Sequence, residues 1–300
     1  SSAQQREPEC RDALARLGLH ALVRFDSVAP PEDGERRLYE SLPLLLEHSR
    51  DALQRLVTDL QAQREARKHS ALRLIAELLI DCAACRRSVV SDKTAEQEAI
   101  HQLRQAVRQR EQRCVEALLK LYGFRASDAA ASDLPLLDGR WGDDLFNPET
   151  LKQLGVRVGG GIAAGAAAGA GVDLMVGGLT LGAAALAGAI AGGALQTARS
   201  YGSRLLGKIK GQRELTVDDS VLRLLALRQR QLLHALNARG HAAVDSIKVA
   251  TPQETTWREG KLPEALYKAR AHPQWSSLNP HPKLSQAERQ EQIEALAEQI

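Results

Sequence analysis

Thr94 to Leu121 reads TAEQEAIHQLRQAVRQREQRCVEALLKL. Ile100, Leu103, Val107, Cys114, Ala117 and Leu121 follow a heptad, which puts them on one face of an α-helix. Charged residues fill the opposite face, notably Arg104, Arg108, Arg110, Glu111 and Arg113. Thr94 is the expected cap, after a polar turn at Ser91, Asp92 and Lys93. Upstream, Leu38, Leu42, Leu45 and Leu46 start a second stripe, with Pro43 as a kink, and Leu53, Leu56, Leu60, Leu72, Ile75 and Leu79 continue it. The region from Gly34 to Phe124 is therefore expected to be almost entirely helical, two helices forming an antiparallel hairpin. At about 1.5 Å per residue, some 40 helical residues reach roughly 60 Å. Such a hairpin serves as an extended stalk or as two sides of a compact bundle.

Composition agrees with a helical protein. Of 300 residues 44% are hydrophobic, yet only 3 Phe, 3 Trp and 4 Tyr are aromatic, too few for an all-β sandwich or barrel. Forty Lys and Arg against 37 Asp and Glu leave +3, so bulk charge points to no nucleic-acid partner. Four cysteines make no disulfide framework, and SSAQQREPEC lacks the apolar core of a secretory signal, so a cytoplasmic location is expected. A mean hydropathy of −0.29 reads as soluble. Ser1 in place of Met leads to the expectation that the chain derives from a longer one.

The flanks are read from punctuation. Glu9 to Leu17 is a helix stopped at Gly18. Ala21 to Phe25 (ALVRF) is a strand, and Ser246 to Ala250 (SIKVA) is the other candidate. Either these two pair, or the first belongs to a sheet elsewhere; a multi-stranded sheet is not expected within the chain. Asp133, Asp138, Asp143 and Asp144 fit no calcium loop and serve turns and caps, and Asn147, Pro148 and Glu149 start a helix. Thr216 with Asp219 resembles a capping box before a helix from Val217 to Arg239, with a face of Leu222, Leu225, Leu232, Leu233 and Leu236. Trp257 and Trp275 anchor the tail, and Ser285 to Ile300 is a final helix.

The expected class is therefore mainly α: a long antiparallel helical hairpin, a Gly/Ala-rich helical hairpin and C-terminal helices, with a short N-terminal βα remnant. Five segments are expected: 1–46, a trailing helix, strand and helix; 47–125, the stalk; 126–157, a loop and linking helix; 158–213, the Gly/Ala hairpin with a basic flank; and 214–300, the C-terminal helices and tail.

Val158 to Leu195 carries most of the functional signal. Glycine and alanine make up 25 of its 38 residues, and Asp173 is its only ionisable group. Leu174 to Leu195 is uncharged over 22 residues, about 33 Å as helix against a bilayer core of about 30 Å. Gly161, Gly165 and Gly169 stand four apart, as do Gly178 and Gly182, and Gly188 and Gly192. Glycine costs a helix in water about 1 kcal/mol against alanine, so the spacing needs a return, which close backbone approach between helices supplies. Asp173 or Gly177 and Gly178 would form the bend. The segment is either a membrane-active hairpin or a tightly packed hairpin in a soluble core. Arg199, Arg204, Lys208, Lys210 and Arg213 follow before any acid, interleaved with Tyr201, Leu205, Leu206 and Ile209, as at a cytoplasmic membrane surface.

No stretch makes an active site. Gly202 to Lys208 has phosphate-loop spacing, but Ile209 stands where Ser or Thr must hold magnesium. Cys82 and Cys85 form CxxC inside a helical run without a second pair, so they read as small buried residues, with Cys114 on the adjacent helix.

The run GAAAGAGVDLMVGGLTLGAAALAGAIAGG, then RLLGKIKGQRELTVDDSVLRLLALRQRQLLHALNARGHAA and the tail RAHPQWSSLN, resembles the uncharacterised C-terminal domain that follows the G domain in a group of bacterial Era-like GTPases. The resemblance covers essentially the whole chain and implies a G domain before Ser1. It makes Ala21 to Phe25 that domain's last strand and puts Phe25, Asp26 and Ser27 near its guanine-contacting loop. The phosphate loop, magnesium threonine and NKxD motif are absent here, so GTP, magnesium and GTPase activity are implied for the parent protein and none for this chain. The expected function is an effector region coupling nucleotide state to the Gly/Ala hairpin, peripheral to or partly inserted in the inner membrane. Anionic lipid and the G domain are the expected partners, a membrane protein or a second copy further ones. The rival reading is a soluble interaction or self-association module with the hairpin buried.

Overall fold

A computed structural model describes residues 7–18, 37, 39–42, 47–90, 92–125, 136, 140–142, 144–147, 150, 172–175, 212–238, 257–258 and 260–300. The chain divides into two compact units, Ser1–Lys68 with Ala235–Ser246, and His69–His234 with Ile247–Ile300.

In the first unit α1 spans Glu7–Arg16 and ends through Gly18, whose φ of +76° suits a residue without Cβ. A 3-10 turn, Glu47–Ser49, leads into α2, Arg50–Ala84. The part of α2 in this unit is exposed from Gln61 onward, and Leu56 retains 46% of its surface.

The second unit holds the main core. From Ala71, α2 becomes buried, with Ile75, Leu78, Leu79 and Ile80 fully enclosed. Strand β1, Arg86–Val90, follows directly, and α3, Lys93–Leu121, comes next. α3 lies antiparallel to the end of α2: Arg110 reaches Asp81, and Cys114 Sγ approaches the Leu74 carbonyl at 3.6 Å. The hairpin expected from the two stripes is thus present, joined through a strand rather than a tight turn. Asp92, not Thr94, caps α3: its φ of −122° is extended and its carboxylate accepts from Ala95 N at 2.9 Å, the three-residue spacing a cap requires. At the far end Gly123, with φ +77°, lets Phe124 N donate back to the Leu119 carbonyl at 2.9 Å.

A three-stranded antiparallel sheet corrects the expectation that none would form. Its order is β1, β3, β2, with β2 at Val172–Met175 and β3 at Gln212–Val217. Arg86 faces Thr216 and Val90 faces Gln212; on the other side Val172 faces Val217 and Met175 faces Glu214. Each strand is short, and only pairing across about 40 to 130 residues satisfies its backbone groups, so local sequence carries little of the signal. Thr216 is therefore a strand residue rather than a cap. Asp218 takes that role, accepting from Ser220 N at 2.7 Å and also from the Ser220 hydroxyl.

Helix α4, Asp219–Ala238, follows β3. Val221, Leu222, Leu224, Leu225 and Ala226 are all buried, as in a helix enclosed on every side. Arg223 donates to the carbonyls of Trp257 at 3.0 Å and Gly260 at 2.6 Å. The tail forms α5, Glu264–Ala271, a 3-10 turn at Pro273–Trp275, and α6, Ala287–Ala297. Trp257 and Trp275 are buried, as expected of anchors. Arg73 ties α2 to α6 through Gln290 and Glu294. The protein is mainly helical; of the three strands β1 lies between α2 and α3 in sequence, and β2 and β3 between α3 and α4. Among the described residues, no helix is long and apolar enough to cross a membrane.

Candidate functional site

The polar chemistry of the second unit gathers around two buried carboxylates, Asp81 on α2 and Glu111 on α3. Asp81 stands in the run Leu78-Leu79-Ile80-Asp81-Cys82-Ala83-Ala84, where the helix is buried all round, so its charge must find donors inside the protein. It does. Ser277 N donates to Oδ1 at 3.0 Å and Ser277 Oγ to Oδ2 at 2.8 Å. Arg289 Nη2 donates to Oδ1 at 3.2 Å and Arg110 Nε to Oδ2 at 2.6 Å. These four donors match the lone-pair sites of an ionised carboxyl, which leaves Asp81 no acceptor capacity for catalysis. Burial pulls the Arg110 guanidinium down, but the charge and hydrogen bond of Asp81 outweigh it and the pKa is raised.

The segment that delivers these donors is RAHPQWSSLN, residues 270–279. Ser276 Oγ donates to the Asp81 carbonyl at 2.7 Å. Asn279 Nδ2 donates to the carbonyls of Ala84 at 3.0 Å and Pro273 at 2.9 Å, while its Oδ1 accepts from Arg86 N at 3.0 Å. One side chain thereby closes the C-terminal end of α2 and fixes the start of β1. Arg86 bridges Glu214 on β3 at 2.8 Å and the Arg270 carbonyl, and Arg87 donates to the Leu278 carbonyl at 2.7 Å. Trp275 stacks on His272 with ring centroids 4.2 Å apart, and its indole N–H donates to Gln286 Oε1 at 2.7 Å.

Glu111 is placed differently. The heptad reading puts Arg110 and Glu111 on the solvent face; both turn inward, because α3 packs α2 on one side and α4 with residues 140–142 and 144–147 on another. Arg228 Nη1 of α4 stands 3.6 Å from Glu111 Oε1, and the Arg228 guanidinium lies over the Trp141 ring at 5.2 Å. Arg108 grips Asp144 through two bonds of 3.0 Å and, with Arg104, lies over the Phe146 ring. Burial lowers the pKa of Arg104. It also pushes Glu111 up to about 7, with Arg228 only partly opposing it.

Cys82, Cys85 and Cys114 are buried thiols. Burial raises all three, Cys85 to about 11 and Cys114 to about 12. A thiol held that far from ionisation is neither nucleophile nor ready metal ligand. Among the described residues, no group of three or more His, Cys, Asp or Glu could hold a metal ion. A depression of about 510 Å³ beside Asp51, Gln54, Arg55, Thr58 and Asp59 is lined by one helix only, and Arg55 and Thr58 there bond to its own backbone.

Of the residues singled out from sequence, Asp173 lies in β2 opposite Thr216, not at the bend of a helical hairpin, and Arg213 lies in β3 opposite Val89. Gly161, Gly165, Gly169, Gly178, Gly182, Gly188 and Gly192 fall outside the described residues, as do Arg199, Arg204, Lys208 and Lys210. So do Phe25, Asp26 and Ser27, the strand candidates 21–25 and 246–250, and Gly202 to Lys208. The Asp81 cluster was missed by sequence reasoning. A lone acid in an apolar helical run was its signal, as was an acid on the seam between Val107 and Cys114 for Glu111.

The model of one protein family, described as a domain of unknown function (DUF3482), matches residues 11–298. No curated protein and no solved structure matches the chain.

Proposed function

Because this chain belongs to the family described as a domain of unknown function, DUF3482, and bears the resemblance noted above, we propose that it is the effector and membrane-association region of a bacterial Era-like GTP-binding protein. In this reading it couples nucleotide state to the Gly/Ala-rich segment, and GTP and magnesium belong to the G domain of the parent. A nucleotide can drive such a change only by binding the two states with different affinity.

One observation carries the membrane part of the reading. β2 and β3 are antiparallel neighbours, with Met175 opposite Glu214, and residues 176–211 connect them. The connection therefore leaves from one strand of this sheet and returns to its neighbour, whose paired residues lie about 5 Å apart. Its first half contains Gly178, Gly182, Gly188 and Gly192 and no charge; its second half contains Arg199, Arg204, Lys208 and Lys210. An uncharged half and a basic half that leave from one sheet and return to it suit a hairpin docking on an anionic bilayer. Small residues would let helices formed there pack closely, and each base near the surface would add about 1 kcal/mol of attraction.

Vesicle flotation tests the proposal. The chain is expected to float with vesicles containing phosphatidylglycerol and far less with pure phosphatidylcholine. If it stays unbound with both, the proposal fails and the reading of a soluble module with a buried hairpin takes its place.

A further inference from the structure

Two carboxylates are buried on facing helices of the second unit, yet they are solvated in opposite ways. Asp81 receives four donors, whereas Glu111, 6% exposed, has an Oε1 that accepts no hydrogen bond. Arg228 Nη1 stands 3.6 Å from that oxygen, a loose ion pair longer than an ordinary hydrogen bond, and offsets its burial only in part. Other charged or titratable groups around Glu111 come from every neighbouring element. Asp144 comes from residues 144–147, Arg108 and Cys114 from α3 itself, and Cys82 from α2. Arg108 is committed to Asp144 through both ends of its fork, so it compensates Glu111 only partly.

We propose that Glu111 is a proton-controlled latch: protonated, it keeps α4 and residues 140–142 and 144–147 closed on α3, and loss of the proton favours an opening that brings its carboxylate and Arg228 to water. The physical cause is the incomplete solvation of the buried anion. A neutral carboxylic acid sits in that place at little cost, whereas the anion lacks the donors that Asp81 has. Arg228 and Trp141 are the moving partners, since the guanidinium that faces Glu111 also covers the indole ring. α4 begins at Asp219, two positions after β3 ends at Val217, so the latch acts on the helix that directly continues the strand. The inference stands on this cluster alone and does not require the membrane reading.

Hydrogen exchange on the full chain tests it, followed by mass spectrometry across pH and corrected for intrinsic rates. Opening within 219–238, 140–142 and 144–147 is expected to rise about tenfold per pH unit between about pH 5 and 7 and to level off above. Glu111→Gln is expected to remain as protected at pH 8 as the wild type at pH 5. A flat wild-type profile overturns the latch. So does a pH dependence retained by Glu111→Gln, which assigns the effect to another group, such as a histidine. If the variant does not fold, an isotope-edited infrared titration of the wild-type glutamates decides. A carboxylate band appearing near pH 7 supports the latch, and full ionisation of every glutamate below about pH 5.5 overturns it.

Discussion

Ser277 closes on Asp81 twice, its backbone N–H reaching Oδ1 at 3.0 Å and its hydroxyl reaching Oδ2 at 2.8 Å, across 196 positions of sequence. With Arg110 and Arg289 on the same carboxylate, this contact joins α2, α3, the tail turn and α6 at one point. Removing the carboxylate leaves two largely buried guanidinium groups without their anion. Asp81→Ala is therefore expected to cost about 3–5 kcal/mol, and Ser277→Ala about 1–2 kcal/mol. Urea unfolding checks this. Equal effects of the two substitutions would contradict the hub role of Asp81.

The thiols divide sharply by environment. Cys10 is exposed, whereas Cys82, Cys85 and Cys114 are buried and shifted away from ionisation. At pH 8 a maleimide or disulfide reagent is expected to modify Cys10 within minutes and the other three only after denaturation. Counting modified thiols by intact mass checks it; fast modification of Cys82 or Cys85 in the native chain would contradict their reading as inert buried residues.

Stability should fall as pH rises through neutrality. Glu111 has an ordinary value of 4.5 unfolded and about 7 folded, so the native state binds more protons between those values. Its contribution is fully present below about pH 4.5 and is lost as pH rises through about 7, amounting to about 3 kcal/mol at roughly 1.4 kcal/mol per unit. Glu111→Gln is expected to remove most of this slope. Denaturant midpoints at a series of pH values are the measurement, and a wild-type slope of the opposite sign across this window would sink the assignment.

The long helices α2, α3 and α4 were legible and the sheet was not, for physical reasons. The α3 seam from Ile100 to Leu118 repeats often enough to identify a helix without knowing its partner. β1 has five residues, RRSVV, and becomes a strand only because β3 lies beside it more than 120 positions later. β2, VDLM, is four residues in a Gly/Ala setting, and Thr216 in TVDDS mimics a cap while the real one is two residues on. Trp257 and Trp275 were readable as anchors because large apolar groups in a polar tail must find a core. Asp81 was conspicuous as an acid in an apolar run, but nothing local to it points to Ser277 or Arg289.

Within the membrane reading, glycine and charge have separable roles. Gly165→Leu and Gly188→Leu are expected to impair packing of the Gly/Ala segment, while Arg204→Glu with Lys208→Glu leaves packing intact and weakens binding to anionic vesicles by tenfold or more, at about 1 kcal/mol per base. Vesicle co-sedimentation across salt concentrations distinguishes them, since only the charge effect is screened. Identical salt dependence in wild type and charge-reversed chain would contradict the basic half as the lipid contact.

The central claim is that the Gly/Ala segment meets lipid. Cys10→Ser with a single new cysteine at Ala167 or Ala185 allows an environment-sensitive dye to be placed there, the three buried thiols being protected in the native chain. With phosphatidylglycerol vesicles carrying a quencher in the acyl region, both dyes are predicted to shift to the blue and be quenched, while a dye at Thr58 on the exposed part of α2 is not. Dyes at Ala167 and Ala185 that keep their spectra and escape quenching, with vesicles present and the fold intact, would contradict the account.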